Sequence, residues 1–401
     1  MSTRSIEELN RDARGLAYAE EYSLTEGWDD NKVAVLFRLG LNKLYQAITE
    51  NDQPANIEQV SIDSVAGTQA YDLPIDVHMA IRINDARFYW GTQAYNFSTM
   101  TQKTISERLD YRSSYPTSFA IRNGQIILTP TPGITRDDAI VINYQKRMRT
   151  LDFRRGQVST IKGAIIDADQ TAVNIIDVDA GHTVATDDIV QFLDSSGTVD
   201  VQRTVSGTAA TTITVSGDAV NVTDDDTIRV VSPMTFTLSF PSNSAKWATM
   251  ESNSAELDRT EYICIVDRDG EPIVSQIPVD SYSTTTKVVT VATTYTMPLS
   301  EMSSLDTYLS AGKPLYAVTG KYASTHSELD MVTENYLIEY VILRLLRLQS
   351  NTGQAKDQFV NEEMTLQQMV TAYKRYRKSV YSVSWINNYR NNAVARRFGS
   401  I

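Results

Sequence analysis

The chain has 401 residues, more than one compact core usually holds, so two or three domains, or one domain carrying an insertion, are expected. Hydrophobic residues make up 42% and charged residues 21%, the balance of a globular protein and not of a disordered or fibrous one. A net charge of −12 excludes a molecule that binds nucleic acid over its whole surface, because duplex affinity comes from cations that neutralise phosphates. The single cysteine, Cys264, lies in the apolar run Tyr262 to Val266 without a disulfide partner, and it reads as buried filler in a protein made in a reducing compartment. The polar N-terminus lacks the apolar core of a signal peptide. The long apolar run from Tyr336 to Leu348 is interrupted by Glu339, Arg344 and Arg347 and is too short to span a bilayer, so a soluble chain with no membrane partner is expected.

Taken in order, Ile6 to Tyr22 reads as a largely polar helix. From Trp28 to Glu50 the residues Val33, Leu36, Phe37, Leu41, Leu44, Tyr45 and Ile48 recur at three and four, which predicts a helix with Asp29, Asp30 and Asn31 as caps. After Pro54 the period changes to two, and short strands are expected around Gln59–Ile62, Gly67–Pro74, Met79–Ile83, Pro116–Arg122, Gln125–Pro130 and Ala139–Tyr144. Asn123-Gly124 between two alternating runs predicts a tight hairpin, since a type I′ turn needs positive φ at both central positions.

From 157 to 231 the chain becomes rich in Thr, Val, Ser, Gly and Asp, with twelve acids against Lys162, Arg203 and Arg229. This stretch is expected to form a small all-β insertion outside the main core, with strands at Val173–Ile176, Ile189–Leu193, Arg203–Val205, Thr212–Val215 and Thr227–Val231. Strand signal resumes at Thr235–Phe240, Glu261–Val266, Ile273–Ile277 and Lys287–Val291, with an Asp269-Gly270 turn. Helical periodicity returns at Leu329–Leu348 and Phe359–Tyr376, with Gly353 in the turn of an αα-hairpin. The expected fold class is α+β. Helical N- and C-terminal parts form a helix bundle, and an antiparallel β region between them carries the inserted all-β domain. The corresponding divisions are 1–156, 157–231, 232–325, 326–380 and a tail at 381–401.

The residues needed for catalysis are not found at workable spacing. His78, His182 and His326 stand far apart with no second His or Cys at helical spacing, and no phosphate-binding glycine motif occurs. Asp177–Asp179, Asp224–Asp226 and Asp267–Asp269 suggest calcium at first sight but lack the closing Glu, and turn-forming aspartates explain them. No catalytic, cofactor or metal residue is therefore assigned, and a non-enzymatic role is expected.

Beyond Thr371 there are seven basic residues and no acid, interleaved with aromatics. Binding to nucleic acid, docking to a protein and a solvated tail are all open on composition. Docking is favoured, because Arg and Tyr are enriched at interface hot spots and packaged duplex offers no free bases. The docking residues would be Arg375, Tyr376, Arg377, Lys378, Tyr381, Trp385, Tyr389, Arg390, Arg396, Arg397 and Phe398.

Read together, an opening pair of helices, the Tyr71-Asp-Leu-Pro74 step, the stretch from Tyr115 to Pro132, the strand Ile140–Tyr144 and the closing helical pair resemble the head-to-tail adaptor (head-completion) proteins of short-tailed bacteriophages. The resemblance spans about 25–155 and 325–380. It implies a structural virion protein made in the host cytoplasm, present as a homo-oligomeric ring of about a dozen copies closed by head-to-tail contacts. Such a ring binds the portal protein above it and tail nozzle or fibre proteins below it, and lets double-stranded DNA pass during ejection. The β-rich stretch from 157 to about 300 departs from the simplest members. That keeps open a tail nozzle, tail-tube or fibre-attachment role, and, further off, a virion-associated glycan hydrolase.

Overall fold

The computed structural model describes residues 4–16, 30–50, 57–74, 76–77, 83–91, 97–103, 115–194, 199–241, 250–329 and 331–349, together with 364, 367, 368 and 371. The chain divides into two compact units, one of Met1–Lys43 with Arg149–Ile401 and one of Leu44–Met148. Helix α1 is Ile6–Leu16, and α2 is Asp30–Glu50, within which the boundary falls.

The Leu44–Met148 unit contains β1 (Ile57–Ser64), β2 (Ala70–Asp72), β3 (Ile83–Tyr89), β4 (Phe97–Gln102), β5 (Ser118–Arg122), β6 (Gln125–Thr129) and β7 (Arg136–Gln145). They form one sheet in the order β1-β7-β3-β4-β5-β6-β2, in which only the β4–β5 pair is parallel. Alternation along β7 sends Ile140, Ile142 and Tyr144 into a core with Phe88, Ile126 and Leu128. The predicted hairpin is β5–β6, with Asn123 at φ 52° and Gly124 at φ 77°. The Tyr71 step has a local physical cause. The ring is buried, and its hydroxyl accepts from the Val65 amide at 3.1 Å and donates to the Thr68 carbonyl at 3.0 Å, pinning the preceding turn.

The other unit continues with β8 (Thr150–Leu151), β9 (Gly156–Ile161), β10 (Gly163–Ile165), β11 (Gln170–Val173), β12 (Ile175–Asp177), β13 (Ile189–Leu193), β14 (Val199–Ala209), β15 (Thr212–Val215), β16 (Val220–Val222) and β17 (Thr227–Ser232). Then come β18 (Thr235–Ser239), α3 (Met250–Ser254), β19 (Tyr262–Val266), β20 (Pro272–Ser283), β21 (Val288–Val291), α4 (Leu299–Ser310), β22 (Leu315–Thr319), β23 (Ala323–Ser324) and α5 (Met331–Gln349).

Strands β18-β21-β20-β19-β22-β9 close a barrel around Val158, Phe236, Ile263, Ile265, Val289 and Leu315. Strands β10-β17-β13-β14-β15-β12 form a second, six-stranded sheet, whose two edges meet through an Ile166–Val178 bridge. Its own core holds Ile176, Val190, Val205, Ile213, Ile228 and Val230.

This acidic module does not hang free of the main core. Leu193 and Val231 belong to the core of the barrel, and Arg229 grips Asp306 on α4 through Nη2 at 2.6 Å and Nε at 2.8 Å. Gln191 donates to the Met297 carbonyl at 3.1 Å. Strand β9, inside the stretch expected to form the module, is a barrel strand because it pairs with both β18 and β22.

Gly163 pairs with Arg229 at the start of β10, and a Cβ there would meet the Ile228 carbonyl oxygen of β17. Backbone cannot yield as a flexible side chain can. Gly163→Ala is expected to cost about 2–3 kcal/mol and to lower the thermal midpoint measured by circular dichroism.

The expected fold class is corrected by these observations. Among the described residues the protein is mostly β, 44% strand against 24% helix, and they show no separate helical bundle built from the two ends. Periodicity identified α2 and α5 but said nothing of what they lie on. The terminal helices are fastened to the β framework: Ser5 bridges His326, and the Ile6 amide donates to the Thr325 carbonyl at 2.8 Å.

Candidate assembly surface

Helix α1 begins with a reciprocal cap, in which the Glu8 amide donates to Ser5 Oγ at 3.3 Å and the Ser5 amide donates to Glu8 Oε2 at 3.1 Å. Ile6, Leu9 and Ala13 recur on one buried face. Arg14 is buried on the same helix, where its Nη2 meets Asp30 Oδ1 at 3.1 Å and its Nε donates to Asn10 Oδ1 at 3.0 Å. Asn10 in turn donates to Asp30 at 3.1 Å. Burial raises the Asp30 carboxyl above its ordinary range, although the Arg14 charge and the Asn10 and Asn253 side chains oppose it.

Helix α2 buries Val33, Ala34, Phe37, Leu41 and Leu44. Gly40 lies against the Tyr340 ring of α5, close enough that a Cβ would stand 2.8 Å from Cδ1, so the two helices approach closely at this point. Beside this crossing is a buried polar node. Arg155 donates from Nε to Asp152 Oδ2 at 3.0 Å and from Nη2 to Oδ1 at 2.5 Å. Its Nη1 donates to Asn31 of α2 and to the Asn253 carbonyl of α3. Asp152 also meets Arg38 of α2 at 3.3 Å and accepts from the Thr319 amide at 2.9 Å and its hydroxyl at 2.5 Å. Burial opposes ionisation of Asp152, yet the Arg155 charge and hydrogen bonds, with Arg38 and Thr319, hold its carboxyl below the usual range. The node therefore fastens α2 to the barrel.

The outer side of these helices is unlike an ordinary polar helix face. On α2, Val35 and Leu39 are one turn apart and 47% and 50% exposed, and Leu16 at the end of α1 is 62% exposed. Between α1 and α5 runs an open groove of about 700 Å³, with Leu16, Ile338 and Ile342 as its apolar residues and Arg4, Arg11, Asp12 and Glu339 as its charged ones. Arg4 and Asp12, both on the α1 side, are paired with each other. Glu339 has no hydrogen-bond or ion-pair partner among the described residues, and burial raises its carboxyl. An exposed apolar ridge and an open groove edged by a carboxylate are features that can bind another helix.

The docking residues expected in the tail, from Arg375 to Phe398, lie outside the described residues, as does His78. His182 is half-buried and shares a hydrogen bond with the Ala209 carbonyl at 2.7 Å. His326 packs over Gly270, and burial, then the Arg154 charge, lowers its pKa. Asp224–Asp226 and Asp267–Asp269 sit in turns, whereas Asp177 ends β12 and pairs with Thr212. Asp267 Oδ1 accepts from the Asp269 and Glu271 amides, both at 2.9 Å, and Asp226 Oδ2 accepts from the Thr223 amide at 2.8 Å. Asp30 and Asn31, expected as caps, receive the buried guanidiniums of Arg14 and Arg155. The Ser5-Ile-Glu-Glu8 start of α1 carried a legible signal that periodicity alone passes over. The Asp152 node carried none, because its partners come from positions 31, 38, 253 and 319.

Residues 5–155 match the family model described as SU10 adaptor protein, which bears out the likeness to phage head-to-tail adaptors. The matched segment takes in α1, α2 and the seven-stranded sheet and ends at Arg155. No curated protein matches the chain.

Proposed function

We propose that this chain, whose residues 5–155 match the SU10 adaptor family, works as a structural ring in a phage particle, joining portal to tail and surrounding the DNA exit path. The family match carries the reading. Three further observations support it. The helices in and beside the matched segment leave apolar ridges and a groove open. The molecule is acidic, so a channel lined by it repels phosphate and lets DNA slide without sticking. The last thirty residues are cationic and aromatic with no acid, the composition of a segment that orders itself on a partner.

In this reading the tail, from Arg375 to Phe398, docks on the portal, and the two β bodies formed by 156–324 contact tail components. The test is co-sedimentation with portal rings. The full chain is expected to pellet with them, and a chain ended at Ser379 is expected to bind at least about tenfold more weakly while keeping its thermal midpoint. Equal co-sedimentation of both chains would remove the tail from the mechanism, and failure of the full chain to bind would remove the adaptor role.

A further inference from the structure

We propose that the groove between α1 and α5 of one copy receives the Val35–Leu39 face of α2 from a second copy, and that this head-to-tail contact is what builds the ring. The proposal rests on the adaptor reading and names the contact that reading leaves unspecified. Its first support is geometric. Val35 and Leu39 stand four residues apart on α2 and form an exposed apolar ridge, and the groove offers it the exposed Leu16 and the part-exposed Ile342, with Ile338 largely buried beneath them.

The second support is charge. Glu339 lies between Ile338 and Ile342 in the groove without a cationic partner among the described residues, and Lys32 precedes Val35 by one turn on the same exposed face of α2. Seating the ridge brings an ammonium to a carboxylate that burial already disfavours as a free anion. The third support is symmetry. Neither Val35 nor Leu39 lines the groove, so the two surfaces are different patches of one chain. Contacts between different patches of identical chains can run head to tail, and such a series forms a ring when its rotation closes.

The heterologous geometry gives a decisive experiment on full-length protein. One variant carries Val35→Glu and Leu39→Glu, which spoils only the ridge; the other carries Leu16→Glu and Ile342→Glu, which spoils only the groove. Mass photometry is run on each variant, on the equimolar mixture and on wild type, with and without portal rings. Each variant alone is expected to self-associate on the order of a hundredfold more weakly than wild type. The mixture is expected to form a one-to-one pair through its single intact ridge and groove, and to stop there. Leu16→Glu alone, at a position already open to water, replaces the double variant should Ile342→Glu fail to fold. Rings formed by either variant alone, or a mixture that stays monomeric while wild type assembles, overturn this contact and leave the adaptor reading standing. A wild type that stays monomeric even on portal rings overturns both.

Discussion

Replacing Arg155 by methionine is expected to cost about 3–5 kcal/mol of folding free energy, because it leaves the Asp152 carboxylate fully buried without its main counter-charge. Arg38 and Thr319 remain beside Asp152, but Arg38 is a part-exposed partner at 3.3 Å and cannot replace a paired guanidinium. The damage also reaches α2 and α3, since the same guanidinium donates to Asn31 and to the Asn253 carbonyl. Denaturation followed by circular dichroism measures the loss. Combining Arg155→Met with Asp152→Leu should recover part of it, because removing both charges leaves none uncompensated.

The pH dependence of this node has a definite sign. Asp152 is held below its ordinary value of 3.8 in the folded protein, so it takes up a proton more readily when unfolded. Its contribution is complete above that ordinary value and is lost as pH falls through the lower folded value. The stability gap between wild type and Asp152→Asn is therefore expected to be flat from pH 5 to 7 and to close below about pH 3.8. A gap that widens on acidification would contradict the assignment.

Arg14→Met is expected to be nearly as severe, again about 3–5 kcal/mol, because Asp30 is buried and keeps only amide donors once the guanidinium is gone. Here the pH trend runs the other way. Burial already raises the Asp30 carboxyl, and losing Arg14 raises it further, so its ionisation destabilises the folded state as pH rises. The deficit relative to wild type should be smaller at pH 5 than at pH 7.5. Asp30→Asn in the Arg14→Met background should remove that difference. Because Arg14 joins α1 to α2, the variant should also weaken binding to portal rings if those helices carry assembly.

The contrast between these two carboxylates explains why the polar site was hard to read. Both are acids close to helical or apolar runs, and both look like caps or turn residues in the chain. What separates them is the number of donors that converge on each, most of which come from distant positions. Asp152 receives a guanidinium three residues away together with groups from 38 and 319, whereas Asp30 receives one guanidinium and one amide from α1. No spacing rule encodes such convergence.

Elements governed by neighbours in the chain were legible. Strands β13 and β15 lie where alternation placed them, Asn123-Gly124 makes its hairpin, and α2 follows the three-and-four period of its apolar residues. The run Val173–Ile176 reads as one strand but is shared between β11, which pairs with β16, and β12, which pairs with β15, with Asn174 between them. Strand β22 and helix α4 were passed over, since Leu315–Thr319 is a short run buried throughout and α4 is rich in Ser and Thr.

The sequence by itself determined the local conformations, the acidity of the module, the cationic tail and the resemblance to phage adaptors, because each depends on residues within a few turns or on composition. Only the tertiary structure decided that the protein is predominantly β, that β9 closes a barrel with β22 more than 150 residues away, and that Arg155 and Arg14 anchor the helices. The physical reason is that barrel closure and buried ion pairs draw their free energy from groups brought together across long loops. A periodic pattern records which face of an element is apolar and not which distant surface covers it.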